Sequence, residues 1–162
     1  HDMLIKAALF LLVGILTVIF GTSDLRKMGG LIKSYPLFGW TFLIAAFGLA
    51  GIPPLSGFPG KLLIVQGGFE GTHFWGSLVI LATSLLVLLS VVRIFIYAFW
   101  GEPAKIVTID RKHYLSMFVP TAILVALTVV LGAGAELFMP FVSDAGEVLL
   151  NPSLYIDAVL KE

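Results

Sequence analysis

Four long apolar stretches separated by short polar ones set the frame of this 162-residue chain. The first, MLIKAALFLLVGILTVIF at residues 3–20, contains one charge, Lys6. A helix rises about 1.5 Å per residue and needs about 20 apolar residues to cross the hydrocarbon. This span is therefore marginal or lacks its first turn. The polar connector GTSDLRKMGGLIKSYP follows at 21–36. In it Thr22 or Ser23 is expected to cap a short helix over Asp24–Met28, and Gly29-Gly30 to end that helix. The second apolar region, 37–71, is too long for one straight span and contains LAGIPPLSGFPGKLLIV at 49–65. Leu37–Ala50 predicts a half-helix of roughly 21 Å. Gly51 followed by Pro53-Pro54 stops it, because proline lacks an N–H and clashes with the preceding turn. Pro59 suits the first position of a new helix, expected over Pro59–Gly67. The reading is one span made of two half-helices, broken across Gly51, Pro53, Pro54, Gly57, Pro59 and Gly60. A short turn, GGFEGTHF at 67–74, leads to a third span at 75–100. A polar loop at 101–113 leads to a fourth at 114–141, bent at Pro120. The division expected is a transmembrane helical region over 1–141, with spans at about 3–20, 37–71, 75–100 and 114–141, and a mildly amphipathic outer-face tail over 142–162.

Composition fits this frame. Hydrophobic residues make up 59% of the chain and charged residues 12%, with a mean hydropathy of +1.04. Soluble domains carry about a quarter charged residues, so the fold class expected is an all-α membrane protein. The net charge of zero gives no nucleic-acid footprint. The absence of cysteine excludes thiolate chemistry and cysteine metal sites. His1, His73 and His113 are far apart without metal-ligand spacing. No phosphate-cradling loop or hydrolytic triad is present, so neither a cofactor nor a metal is expected. No cleavable signal peptide is visible, and the sequence turns apolar almost at once after His1-Asp2-Met3, as expected for a piece of a longer protein.

Basic residues give the expected topology. Arg26, Lys27 and Lys33 lie in the connector, and Lys105, Arg111 and Lys112 in the 101–113 loop. The 67–74 turn has none and the tail only Lys161. The positive-inside rule puts both basic loops in the cytoplasm and the C-terminus outside. Trp40, Trp75, Tyr97, Trp100 and Tyr114 fall near the expected interfaces.

Three basic residues remain inside spans: Lys6, Lys61 and Arg93. Each costs about 2.5–3.5 kcal/mol at a helix centre, so such residues usually face a bundle interior or a wet cavity. Lys61 follows the break at membrane depth, where irregular backbone is tolerated only if buried in protein or lining a cavity. An ended half-helix presents carbonyls and a new one presents N–H groups. The N–H dipole and desolvation oppose the ammonium; carbonyls and any carboxylate favour it. A lysine balanced this way could load and release a proton. The plainer alternative is a lysine that bonds the freed carbonyls and never titrates. Lys6 either joins a proton path with His1 or Asp2, or snorkels to the interface. Arg93 is expected to anchor the inner end of its helix, paired with Glu102. Glu136 is expected to face water at the outer end of the fourth span, and Glu70 and His73 to lie in an exposed turn or line an outer exit. Thr83, Ser84 and Ser90 are expected to serve helix packing.

The segments HDMLIKAALFLLVG, GTSDLRKMGGL, AGIPPLSGFPGK and RIFIYAFWGE occur in this order. Together they resemble the C-terminal part of the antiporter-like proton-translocating subunits. That family includes the membrane-arm subunits of respiratory complex I and the A and D subunits of Mrp-type multisubunit Na⁺/H⁺ antiporters. SGFPGKLLIVQGGFEG followed by LLVLLSVVRIFIYAFWGE is nearest the D-type Mrp branch. Residues 1–102 carry the resemblance.

The resemblance implies a fold of about fourteen helices in two inverted repeats, of which this chain supplies the last four. The break at Gly51–Gly60 matches the discontinuous twelfth helix. Lys61 matches that helix's central titratable residue, and Lys6 the lysine of the eleventh helix. The family often has a histidine four residues before that lysine; here Asp2 stands at that spacing and His1 one residue earlier. Lys61, Lys6 and His1 are therefore the implied proton-transfer residues. The implied role is the C-terminal, outward half-channel of a Na⁺/H⁺ antiporter subunit in a bacterial cell membrane, a secondary transporter rather than an enzyme. The implied partners are other antiporter subunits, the N-terminal helices of the same subunit, protons, sodium ions and lipid. The alternatives are a membrane-arm subunit of a complex I-type NADH-quinone oxidoreductase or membrane-bound hydrogenase, and a membrane scaffold without transport.

Overall fold

The structure, a computed structural model, describes residues 1–71, 74–107, 109–151, 153 and 156. His73 and most of the tail beyond Asn151 lie outside the described residues. The regular elements are helical: α1 (Asp2–Phe20), a 3-10 turn (Leu25–Lys27), α2 (Leu31–Ser34), α3 (Pro36–Ala50), α4 (Gly57–Glu70), α5 (Phe74–Phe99), α6 (Arg111–Ala133) and α7 (Ala135–Leu150). In a hydrocarbon setting a helix satisfies its backbone polar groups within one segment, and runs this rich in Leu, Ile and Phe leave few competing side-chain hydrogen bonds. Among the described residues three helices, α1, α5 and α6, are long and apolar enough to cross a membrane, and α3 is a shorter apolar helix.

The core sits toward the end of the bundle where α3 begins and α5 finishes. Ile5, Ala8, Leu12, Ile15, Leu16 and Ile19 form one buried stripe on α1, at the three- and four-residue spacing that puts side chains on one helix face. It packs with Phe38, Phe42, Ala45 and Ala46 of α3, Val91, Phe95, Ala98 and Phe99 of α5, and Phe118 and Val125 of α6. The phenylalanines interlock: Phe38–Phe99 at 5.5 Å, Phe42–Phe99 at 5.3 Å and Phe95–Phe99 at 5.0 Å between ring centroids. Such pairs add about 0.5–1.5 kcal/mol each beyond area burial. Backbone hydrogen bonds clip the two basic loops to each other at this end, Gly30 N–H to the Trp100 carbonyl (3.0 Å) and Ala104 N–H to the Gly29 carbonyl (3.1 Å). Elsewhere α4, α5 and α7 leave large apolar side chains bare, Ile64, Trp75, Leu86 and Leu149 among them.

Several boundaries differ from the expected ones. The connector forms only a three-residue 3-10 turn, and its cap is Asp24 rather than Thr22 or Ser23. The Asp24 carboxylate accepts from the Arg26 backbone N–H at 3.1 Å, while Thr22 accepts from the Asp24 N–H at 3.2 Å. The second half-helix starts at Gly57, not Pro59, and runs to Glu70. The first four N–H groups of a helix have no partner within it, so Pro59 sits third without cost. Gly57, Pro59 and Gly60 therefore belong to the first turn of α4, and the break itself is 51–56. The fourth apolar stretch is not continuous: it divides at Gly134 into α6 and α7, and the tail is helical to Leu150. Arg93 makes no ion pair with Glu102 among the described residues. Its guanidinium lies 5.7 Å from the Tyr97 ring centroid instead, a contact that the four-residue spacing on α5 allows.

Asp24 carries a pH signature. The Arg26 backbone N–H, aided by the Arg26 guanidinium at 3.3 Å, holds its carboxyl below the usual carboxylate range. A carboxylate with a depressed folded-state pKa stabilises the fold above its ordinary pKa, and that stabilisation is lost as pH falls through the lower folded value. Acidification below the ordinary carboxylate range is thus expected to loosen the 24–28 turn. Hydrogen exchange of that segment, compared with Asp24→Asn at each pH, should show the difference between the two disappear in acid.

Candidate functional site

The site begins with the way α3 ends. Four carbonyls at a helix C-terminus have no partner inside the helix. Here they belong to Phe47, Gly48, Leu49 and Ala50. Gly51 adopts the left-handed conformation, φ 84° and ψ 40°, which glycine reaches without a Cβ penalty. That turn sends the Gly51 N–H to the Phe47 and Gly48 carbonyls (3.0 and 3.2 Å) and the Ile52 N–H to Phe47 (3.1 Å). Leu49 and Ala50 are left over. Both are satisfied by Lys61 Nζ, which donates at 3.0 Å to the Leu49 carbonyl and 2.7 Å to the Ala50 carbonyl. The lysine of one half-helix thus caps the other, and a cation there also suits the negative end of the α3 dipole.

The prolines of the break stand between the two half-helices, Leu55 N–H bonding to the Ile52 carbonyl and Phe58 N–H to Leu55, each at 3.0 Å. At Gly57 the two halves nearly touch: a Cβ there would strike the Gly48 carbonyl oxygen, and would lie 2.8 Å from His1 Nε2. His1 reaches the break from α1, with Nδ1 2.6 Å from Ser56 Oγ. Lys6 does not touch Lys61. It donates to the Asp2 carboxylate at 2.6 Å, one turn away on an exposed face of α1. Of the three residues singled out in the sequence, His1 is brought onto the break loop, while Lys6 stays with Asp2 on its own helix.

On its other side Lys61 borders a cavity of about 160 Å³ between α4 and α5, lined by Phe58, Leu62, Ile80, Leu81 and Ser84. Thr83 and Ser90 bond back to carbonyls of their own helix. The Ser84 hydroxyl, expected to serve helix packing with them, has no such partner among the described residues and faces the cavity. Ser56 is not singled out by the sequence pattern; its signal is a small hydroxyl residue placed immediately before a helix start. Glu70 is exposed at the end of α4. Glu136 is exposed too, and lines a recess with Leu63. Among the described residues no group of three His, Asp or Glu gathers as a metal site.

Chemically, the arrangement holds one amine in two hydrogen-bond regimes. An ammonium has three N–H donors. Two are used by the carbonyls, and the third has no partner among the described residues. A neutral amine still has two N–H groups and gains a lone pair. It can keep both carbonyls satisfied while accepting a proton, so losing the proton orphans no backbone group.

The chain is similar to proteins of known sequence and structure. Residues 2–90 match the family described as NADH:quinone oxidoreductase/Mrp antiporter, TM. The D subunit of the Na⁺/H⁺ antiporter of Bacillus subtilis strain 168 is 54% identical over 162 residues, covering 100% of this chain and 33% of that protein. The corresponding D subunit of Alkalihalophilus pseudofirmus is 43% identical over 164 residues, with the same coverage of 100% and 33%. A solved structure of the Mrp complex from Dietzia sp. DQ12-45-1b matches with a TM-score of 0.86 and 29% identity, over 99% of this chain and 38% of that one. The chain spans about a third of the length of the curated relatives it matches.

Proposed function

The chain belongs to the NADH:quinone oxidoreductase/Mrp antiporter membrane family, and on that premise we propose that it is the C-terminal part of a subunit of a multisubunit Na⁺/H⁺ antiporter in a bacterial cell membrane, with Lys61 exchanging protons at the helix break. The observation that carries this reading is the Lys61 ammonium seated on the Leu49 and Ala50 carbonyls. α3 has 15 residues, which puts the break about 22 Å along the helix axis, inside a hydrocarbon layer about 30 Å thick. A residue ionised there is a functional site by default.

In this reading α3 and α4 are the two halves of one crossing, the second of four, and the four close a fourteen-helix fold. His1 passes protons to or from the break through Ser56, and the Lys6–Asp2 pair lies upstream on the same axis. The two basic loops lie in the cytoplasm and the C-terminus outside. Residues 1–141 form the membrane region in this reading, with α7 carrying the chain on past the division at Gly134. The partners are the N-terminal helices of the same subunit, the other antiporter subunits, protons and sodium ions. The protein works as a secondary transporter, with no cofactor.

The test uses the assembled complex with the full-length subunit, reconstituted in liposomes with a pH-sensitive dye inside. A Na⁺ gradient alone is expected to move protons. Proton movement that appears only with NADH and quinone would assign the chain to a redox-driven complex instead. No Na⁺-driven movement under either condition would leave the scaffold reading.

A further inference from the structure

The break loop is held from a side that the proton path does not use. α6 buries Phe118, Thr121, Val125 and Thr128, a stripe at three- and four-residue spacing that continues onto Gly132. At Gly132 the helix backbone lies directly on the break. A Cβ added there would fall well inside 3.0 Å of the Pro54 carbonyl oxygen, the Leu55 carbonyl carbon and the Ser56 backbone nitrogen. All three are backbone atoms, so none can swing aside as a flexible side chain would. The same loop ends in Ser56, which His1 holds at 2.6 Å, and runs straight into the first turn of α4.

From this contact we infer that Gly132 is a positioning residue for Lys61: the bare backbone of α6 sets where the break loop lies, and so where α4 presents its ammonium to the carbonyls of α3. The inference rests on the proton-exchange reading of Lys61. Bonds of 2.7 and 3.0 Å leave little room, because a hydrogen bond to an ammonium is lost once the separation grows by much more than about half an ångström. A side chain on Gly132 pushes the loop and the start of α4 together. The titratable groups of the elements around Lys61 are His1 just before α1, Asp2 and Lys6 of α1, Glu70 at the far end of α4 and, along α4, the exposed Glu136 of α7. α3, and the stretches of α5 and α6 beside the break, present none. A displaced α4 therefore changes the distance from Lys61 to the α1 groups, and with it the pH at which transport is half-maximal.

The experiment is Na⁺-driven proton movement across a range of pH, in liposomes containing the assembled complex with full-length wild-type subunit, Gly132→Ala, Thr128→Ala or Gly76→Ala. Misplacement by about an ångström costs on the order of ten- to a hundredfold in rate, and this loss is expected for Gly132→Ala, together with a displaced pH profile. Gly76 on α5 has nothing within 4 Å of an added Cβ, so Gly76→Ala should match wild type. Thr128→Ala loosens the α6 seat without adding a clash. It should give a smaller displacement of the pH profile, and it decides the matter if Gly132→Ala fails to assemble. Wild-type rate in assembled Gly132→Ala, or a slower rate on an unchanged pH profile, would overturn the inference. A wild-type complex that moves no protons on a Na⁺ gradient would instead remove the reading beneath it.

Discussion

Lys61→Ala in the full-length subunit, within its assembled complex, is expected to reduce Na⁺-dependent dissipation of ΔpH at least about a hundredfold, the scale at which a positioned proton-transfer group acts. Two losses coincide at this residue. The exchangeable proton is gone, and the Leu49 and Ala50 carbonyls lose the donor that completes the end of α3. An unsatisfied buried backbone group costs about 1–3 kcal/mol, so a modest fall in thermal stability should accompany the loss of transport. Vesicles with equal amounts of wild-type and variant complex, loaded with a pH dye and pulsed with Na⁺, give the comparison. Transport unchanged by the substitution would support a scaffold.

Gly51→Ala is expected to have the second largest effect, through two independent causes. The residue sits at φ 84°, where a residue with a Cβ is strained by about 1–3 kcal/mol. The added Cβ would also lie 2.7 Å from Lys61 Cδ and 3.2 Å from Nζ. That clash involves a flexible side chain, so it is relieved by moving the lysine stem, which strains its bonds to the carbonyls. We expect transport to fall about tenfold or more and unfolding to become easier by the strain energy. Retained transport with a lowered unfolding temperature would show that the strain is real but that the lysine finds its carbonyls by another route.

The break is the most legible feature of the sequence, because Gly51 and two prolines stop a helix whatever surrounds them. The start of α4 is less legible: any of its first four positions accepts a proline, so Pro59 marks the first turn without fixing which residue opens it. The Asp24 cap is one of three neighbouring residues able to accept a backbone N–H, and local pattern does not rank them. The division at Gly134 is hidden because apolar residues resume directly after Glu136, at Leu137, Phe138 and Met139. Charge alone pairs Arg93 with Glu102, while the structure turns it over a ring on its own helix. Lys61 and Lys6 are legible as charges inside apolar spans. The contacts of Ser56 with His1, of Ser84 with the cavity and of Gly132 with the break are not, since they depend on how distant helices are rotated against one another, which no local spacing records.

One substitution separates a lysine that exchanges protons from one that only caps a helix. Arg keeps the positive charge and donors for the Leu49 and Ala50 carbonyls, but its guanidinium stays protonated at any pH a membrane tolerates. Na⁺-driven proton movement by the assembled complex carrying Lys61→Arg is expected to fall to the level of Lys61→Ala, with assembly intact. Transport sustained near wild-type rate by Lys61→Arg would contradict the account, since it would mean that the charge at the break never has to leave.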